Sequence, residues 1–166
     1  MKFEDIKEKI QDLEKIGEGW RSVVYRGKLN GKILSFKVPL KDIHRHAILK
    51  EGRILEIVNR EGIGSKLEII GEDFIAYEYI VGEHLIDVLN EENKEILLKQ
   101  LLDQAKILDK IKINKEEMHR PYKNVLVDKD LKLYLIDFER AKPTLRPKNV
   151  AQVMQFIKRF DKIDII

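Results

Sequence analysis

The segment at residues 124–137, NVLVDKDLKLYLID, constrains the fold most strongly, because it predicts a β-hairpin with a polar residue at each end. Two apolar runs flank the turn-forming residues Asp128-Lys129-Asp130. Since a hairpin brings its ends together, we expect the Asn124 amide and the Asp137 carboxylate to lie close to each other. Oxygen ligands of this kind suit Mg²⁺, which keeps its other positions for water and phosphate. A carboxylate that only caps a turn is the alternative for Asp137.

A second motif, GEGWRSVVY at residues 17–25, places two glycines between predicted strands. Glycines let a turn lie close to phosphate groups, which backbone N–H groups then bind. Lys37 follows in the apolar run ILSFKV, where an ammonium needs an anionic partner because an unpaired buried charge is costly. We favour Glu51, on a helix predicted over residues 47–60, since Glu56 lies on another face of that helix. The alternative for the glycine motif is a plain tight hairpin that binds nothing. The alternative for Glu51 or Glu56 is a solvated carboxylate on the helix surface.

The remaining apolar pattern divides the chain into a β-rich first half and a helical second half, with the change near Gly82. We therefore expect lobes of residues 1–80 and 81–166 that share a ligand cleft. Further elements are predicted as a short helix through Ile6, Ile10 and Leu13, strands at 16–40 turning at Asn30-Gly31, strands at 66–70 and 74–80, a helix at 91–111, and a helix at 149–160 with Val150, Val153, Met154, Ile157 and Phe160 inward.

Composition excludes several classes of site. The 32 Lys and Arg residues nearly balance 29 Asp and Glu, so charge alone does not support nucleic-acid binding. The chain has no cysteine, which excludes disulfides and thiolate chemistry. With no signal-peptide core and no apolar run of roughly 18 to 20 residues, the sequence predicts a cytoplasmic protein that does not span a membrane.

Taken in order, these motifs resemble the protein kinase superfamily, and most closely its small atypical archaeal members akin to the RIO and lipopolysaccharide-kinase-like groups. IGEGWRSVVYRG is similar to the glycine-rich loop, LSFKVP to the strand with the ATP-binding lysine, and KEGRIL to the helix with its glutamate. YEYIVGEHL resembles the hinge and IDFE the metal-binding Asp-Phe-Gly. The resemblance implies an α+β, minimal two-lobed kinase-like fold with a truncated C-terminal lobe.

The resemblance also implies ATP and Mg²⁺ as cofactors, with Tyr77 as the gatekeeper beside the adenine. Lys37 and Glu51 would position the α and β phosphates. Asn124 and Asp137 would hold the metal. The other implied nucleotide contacts are Gly17, Gly19, Ser22, Val24, and the backbone at Glu78 and Ile80.

The sequence departs from the kinase pattern at the catalytic base. Counting back from Asn124 puts His119 where the family has aspartate. Three alternatives remain open for the proton of the substrate hydroxyl. His119 could accept it, Glu117 could accept it from two residues earlier, or transfer could proceed without a base at a reduced rate. If transfer proceeds without a base, Arg120 and Lys123 would be the cations nearest the γ-phosphate.

Two further departures concern mobility and substrate. Glu139 replaces the glycine of Asp-Phe-Gly, which predicts a fixed segment. No Ala-Pro-Glu motif or large helical subdomain for docking peptides follows Ala141. A protein substrate would therefore be bound by another part of the chain, or the substrate would be the chain itself. In the second case Ser22 and Thr144 are the candidate phosphate acceptors. The alternative role for each hydroxyl is to cap a turn.

The sequence thus predicts an ATP-dependent, Mg²⁺-dependent phosphotransferase, either a serine/threonine protein kinase or an autokinase. The alternative is an ATP-binding pseudokinase or ATPase module that regulates a protein or ribonucleoprotein partner. The substrate, the partner and the oligomeric state are not predicted.

Overall fold

The computed structural model describes the backbone of residues 1–164 and the side chains of residues 1–160. The chain divides into two compact units, the first at Met1–Tyr79 and the second beginning at Ile80. None of the helices within residues 1–164 is both long and apolar enough to cross a bilayer.

The first unit is built on a five-stranded antiparallel sheet, in the order β1-β2-β3-β5-β4. Between β2 and β3 the residues Asn30 and Gly31 have φ of 50° and 82°, as a two-residue turn of type I′ requires. The predicted hairpin is therefore confirmed. The strands are β1 (Gln11–Glu18), β2 (Ser22–Leu29), β3 (Lys32–Pro39), β4 (Leu67–Ile70) and β5 (Ile75–Glu78).

One face of the sheet is covered by the N-terminal helix α1 (Phe3–Ile6). Phe3, Ile6 and Ile10 pack there against Leu34, Phe36, Phe74 and Ala76. The predicted helix through Leu13 is wrong, because a 3₁₀ turn at Lys7–Lys9 ends it and Leu13 lies in β1. The reason lies at Gly27, where the missing side chain makes room for Ile10 and so lets the chain turn into the sheet.

Helix α2 (Arg45–Asn59) packs against β3, β4 and β5. The helix was predicted over residues 47–60, and it buries Ile48, Ile54, Leu55 and Val58. Gly52 is also buried, and a Cβ there would lie 2.7 Å from Ile75 Cγ2. The glycine thus permits the close approach between helix and strand.

The second unit combines helices with short strands. Its core helix α4 (Lys94–Lys110), which was predicted at 91–111, buries Leu97, Leu98, Leu101, Ala105 and Leu108, while Leu102 is half-buried. Three strands pair in the order β6-β8-β9, and β7 pairs with β10. The elements are β6 (Glu83–His84), α3 (Leu85–Val88), α4 (Lys94–Lys110), β7 (Ile113–Asn114), β8 (Val125–Val127), β9 (Leu133–Leu135), β10 (Lys142–Pro143) and α5 (Asn149–Asp164).

Helix α5 differs from its prediction in the side chains it buries. Val153 and Phe160 are buried as expected, but Met154 is 39% exposed. Phe156, which the sequence analysis left out, is fully buried and meets the Tyr122 ring edge-on at 5.2 Å. A ring at that position fills more of the core than the flexible methionine would, which explains the rotation of the apolar face.

Candidate active site

The glycine motif forms the turn between β1 and β2. The Gly19 N–H donates to the Ser22 carbonyl at 2.9 Å, and Trp20 at the tip is 96% exposed. A Cβ built on Gly17 or Gly19 would meet nothing within 4 Å. The turn therefore needs no glycine for its own packing, and the open space beside it is compatible with a ligand.

Lys37 lies in the middle of β3, on the sheet face that α2 covers. Its Nζ donates to Glu51 Oε2 at 2.6 Å, and the two residues are only 6% and 3% exposed. The structure thus brings together the pair that the sequence analysis favoured, whereas Glu56 is exposed. Val24 is paired with Lys37 across β2 and β3, so its side chain shares the lysine's face.

The predicted adenine contacts lie at the end of β5, whose last residue is Glu78, and just beyond it at Ile80. Tyr77 and Glu78 are half-buried, and the Glu78 N–H donates to the Lys66 carbonyl at 2.8 Å. Tyr79 donates to the Ile33 carbonyl at 3.1 Å, and Ile80 begins the second unit. The adenine-binding role of Glu78 and Ile80 stays a prediction.

In the second unit the hairpin brings Asn124 and Asp137 to one end, just before β8 and just after β9. Val125 is paired with Leu135, and the Ile136 N–H donates to the Asn124 carbonyl at 2.9 Å. Asn124 is half-buried and Asp137 is exposed. The Glu139 N–H donates to Asp137 Oδ1 at 3.4 Å, which is the turn-capping contact considered above. At that length it is weak, and a carboxylate has further lone pairs for a metal.

Asp137 has an unusual backbone conformation. Its φ is 62°, in the left-handed region that residues with a Cβ seldom adopt. Glu116 and Glu117, on the loop before Asn124, also have positive φ, at 72° and 57°. Such conformations cluster at functional sites, where the surrounding structure holds them.

Glu117 is engaged by two neighbours. Its Oε1 accepts from Arg140 Nη1 at 2.8 Å, and its Oε2 accepts from Asn124 Nδ2 at 3.4 Å. The Asn124 amide therefore points its donor nitrogen at Glu117, which leaves its carbonyl oxygen as the atom suited to a cation. This arrangement favours a positioning role for Glu117 over that of a proton acceptor.

The loop at residues 117–123 is anchored by helix α5. Gln152 Oε1 accepts from the Met118 N–H at 3.0 Å, and Arg159 donates to the His119 carbonyl. His119 itself is half-buried, while Arg120 and Lys123 are exposed. The loop backbone is thus fixed by side chains that recur along one face of the helix.

The two candidate acceptor hydroxyls differ in accessibility. Ser22 is only 6% exposed, which argues against it as a phosphate acceptor. Thr144 is half-buried, and its Oγ1 accepts from the Arg146 N–H at 3.3 Å, a turn-capping contact.

Sequence reasoning missed Lys115, which follows β7 directly. It is 2% exposed, and its Nζ donates to the Asp137 carbonyl at 3.2 Å. Its sequence signal is weak, because INKEE reads as a charged loop. Only the apolar Ile113 and the return of the chain through β10 show that this lysine lies inside the unit.

The comparisons with known proteins identify the fold. No protein-family model matches the chain, and no curated protein does. Among solved structures it is similar to the Rio2 kinase-ADP/Mg²⁺-phosphoaspartate complex from Chaetomium thermophilum, with a TM-score of 0.74 and 14% identity. The match covers 97% of this chain but only 58% of the Rio2 chain. The predicted fold is therefore confirmed: the chain has a protein-kinase-like fold.

Proposed function

We propose that this chain is a Mg²⁺-dependent phosphotransferase that uses ATP, with a serine or threonine hydroxyl of a protein as acceptor. The observation that carries the proposal is the buried pair of Lys37 and Glu51 on a kinase-like fold. Burying two charges is costly, and a core of apolar residues would be at least as stable. A lysine kept in such a place is better explained by an anionic ligand.

In this proposal Lys37 binds the α and β phosphates and Glu51 orients the lysine. Gly17, Gly19, Ser22 and Val24 lie along the nucleotide, with Ser22 contributing backbone rather than a phosphorylated hydroxyl. The backbone at Glu78 and Ile80 binds the adenine.

Asn124 and Asp137 would hold Mg²⁺. The donor set fits a hard cation, because it offers an amide oxygen turned away from Glu117 and an exposed carboxylate. When bound, the ion neutralises charge on the phosphates. Asp137 is therefore placed among the catalytic residues as well as among the metal ligands.

His119 is our candidate for the proton acceptor. The two candidate bases are Glu117 and His119. The Glu117 carboxylate already accepts hydrogen bonds from Arg140 and Asn124. An imidazole is a competent proton acceptor near neutral pH, which favours His119. The hydroxyl oxygen then forms its bond to the γ-phosphorus as the bond to the ADP oxygen breaks. In this proposal Arg120 and Lys123 would be the cations that neutralise the charge developing on the transferred group.

The test compares wild type with Asp137→Ala in ATP turnover and in phosphate incorporated into a cell extract or into the chain itself. Asp130→Ala is the matched control, since Asp130 is an exposed carboxylate on the turn of the same hairpin. We expect Asp137→Ala to lose both activities and Asp130→Ala to keep them. Equal activity in all three proteins would show that Asp137 is not a metal ligand of a phosphotransferase and would contradict the proposal.

A second candidate is an ATPase or a nucleotide-dependent regulator of a protein or ribonucleoprotein partner. It is favoured by the absence of aspartate at position 119 and by the burial of Ser22. The Rio2 structure holds a phosphoaspartate, so a carboxylate is also a candidate acceptor here. An acyl phosphate would be cleaved by hydroxylamine, whereas phosphoserine and phosphothreonine would not. A regulator without transfer would instead be stabilised by MgATP and incorporate no phosphate.

A further inference from the structure

Lys115 is a buried cation that contacts the backbone of the predicted metal ligand. Its Nζ donates to the Asp137 carbonyl at 3.2 Å and lies 5.1 Å from the centre of the Phe138 ring. Its own N–H donates to Asn149 Oδ1 at 2.9 Å, and Asn149 is fully buried. Both ends of this residue are therefore tied to fixed parts of the second unit.

A lysine seldom occupies such a position for the sake of packing. Its flexible stem normally carries the ammonium to water, yet Lys115 is 2% exposed. A methionine would fill nearly the same volume without the cost of burying a charge. The contacts of the ammonium include a carbonyl oxygen and the face of an aromatic ring, which together favour a cation at this position.

What it binds is a strained segment. Asp137 has φ of 62°, and Phe138 directly after it is fully buried. The Ala141 N–H donates to the Phe138 carbonyl at 3.1 Å. The Asp137 carbonyl accepts from Lys115 and the next ring is buried, while Asp137 as a residue is exposed.

We propose that Lys115 is a positioning residue for Asp137: it holds the backbone so that the carboxylate faces Mg²⁺. This inference rests on the proposed function, since it takes Asp137 to be a metal ligand. Groups that orient a metal ligand commonly change metal affinity about 10- to 100-fold when they are removed. The contact on which this role rests is that of the Lys115 ammonium with the backbone carbonyl of Asp137.

The experiment uses the full chain and three variants: Lys115→Met, Lys115→Arg, and Lys129→Met as the control at an exposed position in the hairpin turn. Calorimetry measures ATP binding across a range of Mg²⁺ concentrations and without metal, and thermal unfolding is recorded alongside. Backbone NMR of the ligand-free chain follows the amides of Asp137, Phe138 and Glu139.

We expect Lys115→Met to raise the Mg²⁺ concentration for half-maximal ATP binding about tenfold or more. Metal-free ATP affinity should stay unchanged, and only the three amides and their neighbours should shift. Lys115→Arg keeps a charged donor and should recover much of the Mg²⁺ affinity, while Lys129→Met should match wild type. If Lys115→Met does not fold, Lys115→Gln, which is too short to reach the carbonyl, should show the same rise.

If a folded Lys115 variant lacks the contact with the Asp137 carbonyl and still binds ATP at the same Mg²⁺ concentration as wild type, the positioning role is overturned. The proposed function would stand in that case. A loss of metal-free ATP affinity in step with stability also overturns it, because that is the effect of a merely structural residue. If wild type binds no MgATP, the proposed function itself fails, and the role of Lys115 fails with it.

Discussion

Lys37 on β3 and Glu51 on α2 form an ion pair with N–O distance 2.6 Å and side chains only 8% and 4% exposed. Removing one partner takes this ion pair away from a charge that stays buried. We expect Lys37→Met and Glu51→Gln each to lower the free energy of unfolding by about 3 kcal/mol or more. Both should also lose ATP affinity, which calorimetry measures beside urea unfolding.

The double variant Lys37→Met/Glu51→Leu separates the two effects, since it replaces both charges by apolar groups. It should regain most of the stability and none of the ATP affinity. Glu56→Gln, at an exposed position of the same helix, should change stability by less than about 0.5 kcal/mol. Normal ATP binding by the double variant would show that the pair serves the fold alone.

Gly52 decides how closely α2 approaches the sheet. Alanine in a helix is ordinarily about 1 kcal/mol better than glycine. Here the added Cβ would lie 2.7 Å from Ile75 Cγ2 and 3.2 Å from Ile70 Cγ1. We therefore expect Gly52→Ala to destabilise the chain by about 1 to 3 kcal/mol in urea unfolding.

The same substitution should weaken ATP binding, because Glu51 moves with the helix. Arg53→Ala, at the exposed neighbouring position, is the control and should leave ATP affinity unchanged. A Gly52→Ala protein as stable as wild type or more so would mean that Ile75 and Ile70 repack at no cost.

Gly19 tests whether the β1–β2 turn serves a ligand. Its added Cβ would meet nothing within 4 Å, so Gly19→Ala should leave stability unchanged or raise it by up to about 1 kcal/mol. ATP affinity should nevertheless fall, because the turn would no longer lie close over the phosphates. Gly31→Ala is the contrasting variant, since Gly31 has φ of 82° and should lose stability instead. Unchanged ATP affinity in Gly19→Ala would favour a plain hairpin.

How far the sequence predicted this molecule depends on what each residue binds. The kinase-like fold was predicted from the resemblance of the ordered motifs to a known family. The contact of Lys37 with Glu51 was predicted from the strand and the helix on which they lie, where side chains repeat at fixed spacing. Lys115 could not be found that way, because its acceptor is a backbone oxygen 22 positions along the chain. Leu13 was misplaced for a similar reason, since the space above Gly27 is a tertiary feature.

Glu18 places a negative charge inside the predicted phosphate turn, and Lys15 on β1 pairs with it. The hydrogen bond from Lys15 to Glu18, with their attraction, raises the pKa of the Lys15 ammonium. With Glu18 ionised, the raised pKa of Lys15 stabilises the fold at neutral pH and up to the ordinary lysine value of 10.5, and this contribution is lost as the pH rises through the raised pKa. The contribution of this ion pair to stability should therefore be constant across the neutral pH range.

Lys15→Met leaves the Glu18 carboxylate uncompensated near the phosphates. We expect weaker ATP binding at low salt, with the difference from wild type shrinking as salt is added. Lys15→Met/Glu18→Gln should restore the affinity, and Lys28→Met, at an exposed position of β2, should not affect it. A salt-independent loss would point to packing rather than charge.

Helix α5 should control catalysis from outside the predicted site. Gln152 accepts from the Met118 N–H at 3.0 Å, one residue before His119. Gln152→Leu leaves that N–H without its acceptor, which costs about 1 to 3 kcal/mol of stability. Because the loop backbone is then released, phosphate transfer should fall several-fold further than the unfolded fraction explains, while metal-free ATP affinity stays normal. Gln155→Leu, on the exposed side of the same helix, should match wild type in both measurements. Full transfer activity in folded Gln152→Leu would show that the 117–123 loop keeps its geometry without the helix.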